Sequence, residues 1–268
     1  RGAIAQARAL ASHLGAAFVP LDEVEGTARV IVTHDEQRLE LDLSDFRGPT
    51  LEADLARRDF TINAIAIALA DWLKAPDAPT ALIDPLNGQQ ALRARQLIAC
   101  FPETFQEDPV RILRAFRFAA QLDFTLDGRL EPLMRTALKD LTRVSGERQR
   151  DELLLICETD RAGWAMQSLN RLGVLDVLFP ELLPGRDMFQ GGFHHLDVLG
   201  HQLETVCQAD RILADFREFS EPLQQPLAAY CAQQLVERRA RKGLIKLSGL
   251  LHDVGKPANR QVHPDGEI

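Results

Sequence analysis

The sequence that decides the fold is Glu107-Asp-Pro-Val-Arg-Ile-Leu-Arg-Ala-Phe-Arg-Phe118. Aspartate caps a free helix N-terminus and proline fits the first helical turn, so Asp108 and Pro109 predict that a helix starts here. Because successive helical residues turn by about 100 degrees, the apolar side chains collect on one side and three arginines form a slowly turning stripe on the other. The stripe consists of Arg111, Arg114 and Arg117.

Asp108 and Arg111 are three positions apart, so they should be neighbours on the surface of this helix. A carboxylate beside a planar guanidinium can offer acceptors and donors to the edge of a nucleobase, and further arginines can meet phosphates. Spacing alone favours a simpler alternative, a solvated arginine face with one intrahelical ion pair.

Downstream of Asp108 strand signals disappear, and amphipathic helices follow one another with breaks near Gly128, Gly146, Gly173 and residues 180–184. Upstream, residues 1–14 predict a helix that stops at Gly15. Short β-branched or alternating runs then predict antiparallel strands. These runs are residues 17–21, 27–33 and 38–43, with a further strand at 62–68 paired with 81–84.

A second polar segment is Leu51-Glu-Ala-Asp-Leu-Ala-Arg-Arg-Asp-Phe-Thr-Ile-Asn-Ala64, which begins with a short helical stretch. Arg58, Asp59 and Asn63 lead into and interrupt an apolar run, so they need partners. They either satisfy backbone amides between a helix and a strand, or hold ribose and triphosphate.

Composition limits the class of protein. The 268 residues are 46% hydrophobic and 26% charged, which indicates a globular protein large enough for two domains. No apolar run approaches the roughly 20 residues of a spanning helix, so no membrane association is expected and a cytoplasmic location is the default. The net charge of −8 disfavours broad nucleic-acid binding and leaves only local arginine patches for a polyanion. Four scattered cysteines suggest reduced thiols rather than disulfides or a zinc ribbon.

Two more segments, Ile83-Asp-Pro-Leu-Asn-Gly88 and Ser145-Gly-Glu-Arg-Gln-Arg-Asp-Glu-Leu153, complete an ordered set with the first two. Together the four motifs resemble the class II tRNA nucleotidyltransferase and bacterial poly(A) polymerase family, over essentially the whole chain. The resemblance implies that Arg58, Asp59 and Asn63 contact the sugar and phosphates of the incoming nucleotide. It also implies that Asp108 and Arg111 read the base and that the remaining stripe faces the triphosphate, namely Arg114 and Arg117.

Near the end, Gly192-Phe-His-His-Leu-Asp-Val-Leu-Gly-His201 and Leu250-Leu-His-Asp-Val-Gly-Lys-Pro257 resemble the HD domain of metal-dependent phosphohydrolases. Imidazole and carboxylate together suit a divalent metal, so His201, His252 and Asp253 are candidate ligands. A further aspartate of that site is expected beyond Ile268.

The resemblance implies an α+β fold: the remnant of a polymerase-beta-like nucleotidyltransferase head, with a small antiparallel sheet plus helices, followed by an all-helical neck, body and HD-type domain. We place the head at 1–98, the neck at 99–160, the body at 161–192 and the start of the HD-type domain at 193–268.

The implied activity is template-independent nucleotidyl transfer from CTP or ATP to the 3′ end of tRNA, with Mg²⁺ as cofactor. The family's Asp-x-Asp metal pair is expected upstream of Arg1. Glu40 and Asp42 alternate on a predicted strand and are weak substitutes, because such residues are more often an exposed strand face.

Three alternatives stay open. A poly(A) polymerase would accept ATP repeatedly on unstructured RNA. An HD-type metal-dependent phosphohydrolase would use the front half only to bind substrate. A non-catalytic tRNA-binding fragment would do no chemistry. Addition of CCA, CC only or A only is not distinguished, and the last two require a partner nucleotidyltransferase.

Overall fold

The computed structural model describes residues 2–35, 37–76, 81–188, 195–235 and 239–259. The chain forms two compact units, one of residues 1–58 with 63–86 and one of residues 59–62 with 87–268. Parts of the predicted body and HD-type domain, including the glycine and histidines at 192–194, lie outside the described residues. The four-part division of the chain stays a prediction.

The first unit places helix α1 (Ala3–Leu14) on a three-stranded antiparallel sheet. The strands are β1 (Ala17–Asp22), β2 (Thr27–His34) and β3 (Gln37–Ser44), in that spatial order. The buried face of α1 carries only alanines, which lets the helix lie close to Ala28 and Val30 of β2. Gly15 ends α1 in the left-handed conformation at φ 61°, as the sequence predicts.

The same unit contains the short helices α2 (Leu51–Leu55) and α3 (Leu69–Lys74). The predicted strand at 62–68 is wrong, since its only pairing with 81–84 is a single bridge between Ala66 and Ile83. Residues Thr61–Asn63 instead form a 3-10 turn. The N–H of Thr61 donates to the carbonyl of Ile98 at 2.9 Å, so a long-range partner replaces the strand neighbour that alternation suggested.

The second unit is mainly helical. A two-residue parallel ribbon joins β4 (Gln96–Leu97) to β5 (Thr125–Leu126), so the expectation that no strand follows Asp108 is wrong by this short element. The described helices are α4 (Gly88–Ala94), α5 (Thr104–Glu107), α6 (Arg111–Leu122), α7 (Leu130–Ala137), α8 (Gly146–Glu158), α9 (Ala162–Leu172), α10 (Val174–Leu178), α11 (Val198–Asp215), α12 (Glu221–Ala232), α13 (Arg241–Leu251) and α14 (Lys256–Asn259), with 3-10 segments at Leu138–Arg143 and Pro180–Gly185.

The core of this unit forms around α6, which packs against α8 and α9. Ile112, Leu113 and Phe116 of α6 are buried, which confirms the apolar face that helical spacing predicts. None of the helices in the described part of the chain combines the length and hydropathy that crossing a bilayer requires. The α+β class, a helix-rich chain with a small antiparallel sheet, is confirmed.

Two close approaches fix α9, α11 and α13. Gly163 lies so near α11 that a Cβ atom there would be 2.6 Å from Cys207 Cα. Lys246 of α13 is 1% exposed, and its Nζ lies 2.7 Å from an Asp210 carboxylate oxygen of α11. It also donates to the carbonyl of Thr159 at 2.6 Å, so a buried ammonium with two partners ties these helices together.

Candidate functional site

Two acidic side chains hold the arginine stripe of α6. The carboxylate of Asp59 accepts hydrogen bonds from Arg114 Nε at 2.8 Å and lies 2.7 Å from a second nitrogen of the same guanidinium. Glu152 of α8 accepts from Arg114 at 3.3 Å and from Arg117 Nε at 2.6 Å. Asp59 and Glu152 therefore fix the direction of both guanidinium groups. We call these four residues the arginine network.

Exposure differs along the network. The side chains of Arg117 and Glu152 are each 12% exposed, while that of Arg114 is 33% exposed. Burial lowers the pKa of the Arg114 guanidinium, but the charges and hydrogen bonds of Asp59 and Glu152 outweigh it, so the pKa lies above its ordinary value. Arg114 is therefore a permanent, positioned cation that still reaches solvent.

The start of α6 differs from the sequence prediction. Helix α6 begins at Arg111, whose N–H donates to the backbone carbonyl of Asp108 at 3.0 Å. The carboxylate of Asp108 does not cap the helix but accepts from Arg148 of α8 at 2.6 Å. The predicted N-cap is thus wrong, because a guanidinium from another helix binds this carboxylate more strongly than a backbone amide would.

Arg111 is directed elsewhere than expected. Its side chain is 7% exposed and donates to Thr104 Oγ1 at 2.9 Å, with Glu107 at 3.4 Å. Its guanidinium carbon lies 5.7 Å from the ring centre of Phe101. Asp108 and Arg111 are thus neighbours in sequence that bind different partners.

The remaining nucleotide candidates, Arg58 and Asn63, belong to the first unit. Asp54, whose side chain is 2% exposed, accepts two hydrogen bonds from Arg58 at 2.8 and 3.2 Å and one from the N–H of Arg47. Burial raises the pKa of the Asp54 carboxyl, but these hydrogen bonds outweigh it and hold the pKa below its ordinary value. Arg58 is therefore anchored, and Asn63 is half-buried at the end of the 3-10 turn.

Glu40 and Asp42 do lie on one face of β3, but a cation binds them both. Arg29 lies 2.7 Å from Glu40 and 2.6 Å from Asp42, and Arg38 lies 3.0 Å from Glu40. A guanidinium between two carboxylates occupies the place where a shared metal would sit. This pair does not fit a magnesium site.

His201, His252 and Asp253 meet in space, with a ligand atom from each lying within 4.8 Å of the others. Asp253 Oδ2 lies 3.2 Å from His252 Nε2 and 3.7 Å from His201 Nε2. Nδ1 of His252 lies 2.8 Å from the Gly249 carbonyl, and a hydrogen bond there leaves Nε2 as the ligand nitrogen. Lys256 Nζ is 2.7 Å from the same carboxylate oxygen. The donor set fits a divalent metal of the kind that imidazole and carboxylate prefer.

Sequence reasoning did not single out Asp54, Glu152 or Arg148. Asp54 had a local signal, because it precedes Arg58 by four positions on a helical stretch. Glu152 and Arg148 fall inside a quoted motif, but no spacing rule connects α8 with α6. Their contacts join residues 38 and 40 positions apart.

Comparison with known proteins gives two matching family descriptions: "Poly A polymerase head domain" over residues 17–98 and "Probable RNA and SrmB- binding site of polymerase A" over residues 123–185. The A-adding tRNA nucleotidyltransferase of Deinococcus radiodurans is 37% identical over 97% of this chain and 52% of its own length. The CC-adding tRNA nucleotidyltransferase of Geobacter sulfurreducens is 34% identical over 94% of this chain and 53% of its length.

Among solved structures, a tRNA nucleotidyltransferase complexed with a primer tRNA and an incoming ATP analog is 28% identical. It aligns with a TM-score of 0.60 over 94% of this chain and 65% of that one. The chain spans about half the length of the curated relatives it matches. The matched regions contain Arg58, Asp59 and Asn63 in the head and frame the arginine helix. The chain belongs to the tRNA nucleotidyltransferase and poly(A) polymerase family.

Proposed function

We propose that this chain forms the nucleotide-selecting part of an enzyme that transfers nucleotides from CTP or ATP to the 3′ end of tRNA. The arginine network carries the proposal. Two carboxylates hold Arg114 and Arg117 in fixed directions, and Arg114 keeps a third of its surface open to solvent. Positioned guanidinium groups are suited to phosphate, because they present parallel donors that need not be ordered again on binding.

Base selection falls to the start of α6. Cytosine and adenine each present an exocyclic amino group, which a carboxylate such as Asp108 accepts. Arg111 supplies the donor for the neighbouring ring nitrogen. In the structure Asp108 is bound to Arg148 and Arg111 to Thr104, so base reading requires both side chains to exchange a protein partner for the base.

We further propose that nucleotidyl transfer uses Mg²⁺, which would stabilise charge on the α-phosphate during attack by the 3′-hydroxyl. The described carboxylates do not supply its site, because Arg29 binds both Glu40 and Asp42. Arg58 and Asn63 would contact the sugar and phosphates, with Asp54 keeping Arg58 in place.

The first test is binding of CTP and ATP to this chain by calorimetry, comparing Asp108→Ala with Asp140→Ala. Asp140 is the matched control because it also pairs with an arginine, Arg143 at 3.1 Å. We expect Asp108→Ala to weaken binding at least tenfold and Asp140→Ala to leave it unchanged. Equal affinities for both variants would contradict base reading by Asp108.

The second test is incorporation of labelled CTP and ATP onto tRNA ending at the discriminator base, after C and after CC. Products that stop at a defined short length support tRNA end synthesis and reveal whether a partner enzyme must add the rest. A long ladder with ATP would instead mean a poly(A) polymerase.

A second function rests on a different cluster. We propose that His201, His252 and Asp253 bind a divalent metal in an HD-type site that hydrolyses phosphate esters. Titration with Mn²⁺ should show one site that His252→Ala abolishes and that His13→Ala, a change on α1, leaves intact. Identical Mn²⁺ binding by both variants would refute this site. Phosphatase activity lost with His252→Ala but kept with Asp108→Ala would favour the hydrolase over the transferase.

A further inference from the structure

A cavity of about 650 Å³ lies in the second unit, away from the arginine network. It is lined by α6, β5, α7 and α9. Its floor is apolar and includes Phe116, Phe124 and Met134, all of which are buried. A cavity of this volume is large enough for a nucleotide.

Trp164 forms the aromatic wall of the cavity. Its side chain is half-buried, and its ring centre lies 6.2 Å from that of Phe116. The guanidinium of Arg161 stands 4.5 Å over the tryptophan ring. Flat aromatic and guanidinium surfaces of this kind accept a nucleobase by stacking, with little preference for its identity.

Three arginines surround the opening, each from a different part of the fold. They are Arg135 of α7, Arg161 before α9 and Arg171 at the end of α9. The single acidic residue of the lining is Glu131, which lies 2.8 Å from Arg135. Arg171 donates to the hydroxyl of Ser168 at 2.7 Å. The opening therefore carries a net positive charge in a chain that is acidic as a whole.

The existing ion pairs at the opening are exposed. The side chains of Arg135 and Glu131 are 51% and 63% exposed, and Arg161 binds Asp123, which is 63% exposed. Ion pairs so open to water contribute little, so a phosphate can replace the carboxylate at small cost.

Helix α6 separates this cavity from the arginine network. Phe116 faces the cavity, whereas Arg114 and Arg117 turn toward Asp59 and Glu152. All lining residues except Phe116 fall within 123–185, the range that matches an RNA-binding description. The cavity is thus a second place for nucleic-acid chemistry, not an extension of the first.

From these observations we infer that the cavity binds an unpaired nucleotide of the RNA substrate, with its base against Trp164 and its phosphate between Arg135 and Arg171. This inference rests on the proposed function, because it takes RNA as the substrate. Occupation of the cavity would hold the RNA body while its 3′ end lies elsewhere.

The test uses tryptophan emission, which is independent of catalysis. The chain has two tryptophans, so Trp72→Phe leaves Trp164 as the only reporter. This protein is titrated with a tRNA transcript ending at the discriminator base, with an unstructured oligoribonucleotide and with free CTP. Binding of fluorescently labelled RNA is followed separately by anisotropy.

We expect saturable quenching of Trp164 by both RNAs. The double change Arg135→Ala and Arg171→Ala should weaken RNA binding about tenfold and reduce the slope of log affinity against log salt by about 1.4, or 0.7 per lost phosphate contact on a single strand. Arg217→Ala is the matched control, because Arg217 is an exposed arginine paired with Asp215 outside the cavity. It should change neither value.

Three outcomes would overturn the inference. RNA binding without quenching, and with an unchanged salt slope in the double variant, would exclude the cavity and leave the proposed function standing. Equal quenching by free CTP alone would make the cavity a site for mononucleotides. Absence of any RNA binding by anisotropy would remove both the inference and the proposed function.

Discussion

Replacement of Glu152 by glutamine would test whether the arginine network is a structural unit of the second domain. Glu152→Gln keeps the shape of the side chain but removes the carboxylate that two guanidinium groups share. Arg114 would keep Asp59, whereas Arg117 would keep only Gln121 at 3.2 Å and the ring of Phe118 at 4.0 Å. The loss therefore falls mainly on Arg117.

The magnitude follows from burial. A hydrogen bond to a charged group contributes about 1.5–3 kcal/mol, and breaking a fully buried ion pair costs about 3–5 kcal/mol. Since Arg117 and Glu152 each keep 12% of their side-chain exposure, the expected loss lies near the lower values, at about 2–3 kcal/mol. For a chain of this size that corresponds to a fall in Tm of about 4–12 °C.

The assay is thermal and urea denaturation followed by far-UV circular dichroism. Glu131→Gln serves as the control, because Glu131 shares an exposed ion pair with Arg135 and should contribute no more than about 0.5 kcal/mol. If Glu152→Gln and Glu131→Gln unfold within about 0.5 kcal/mol of each other, the network does not stabilise the fold as its burial implies.

Three further predictions follow from single positions. Gly163→Ala should destabilise the protein by about 1–3 kcal/mol, because its Cβ would meet Cys207, while Gly146→Ala, where nothing lies within 4 Å, should be neutral or stabilising; urea denaturation compares the two. The Cys157 thiol should resist iodoacetamide in the native protein at neutral pH, because burial raises its pKa to about 12, and mass spectrometry should detect its alkylation only after unfolding. Asp54→Asn should be less stable than the parent at neutral pH, and the difference should fade as the pH falls below about 4, because a depressed carboxyl pKa stabilises the fold only while the group is ionised; a pH-independent difference in urea midpoints would contradict this.

Local sequence predicted much of the fold. The alanine face of α1 with its stop at Gly15, the three strands of the head and the amphipathic character of α6 follow from periodicity and from glycine's freedom at positive φ. Each depends on residues close together in the chain.

The failures have one physical cause, which is competition from distant partners. The run at 62–68 alternates like a strand, yet Thr61 bonds to Ile98 and the segment starts as a 3-10 turn. The two-residue ribbon of β4 and β5 is too short to leave a pattern in sequence.

The candidate site divides in the same way. The sequence by itself determined which residue types stand at which spacing: the arginines of α6, the aspartate before it, and the histidines and aspartate of the metal cluster. Tertiary structure alone decided their partners, since Arg114 meets Asp59 across 55 positions, Asp108 turns to Arg148, and Arg111 is buried on Thr104. Charged groups bind whichever opposite charge the packing brings within reach, and spacing along the chain does not encode that choice.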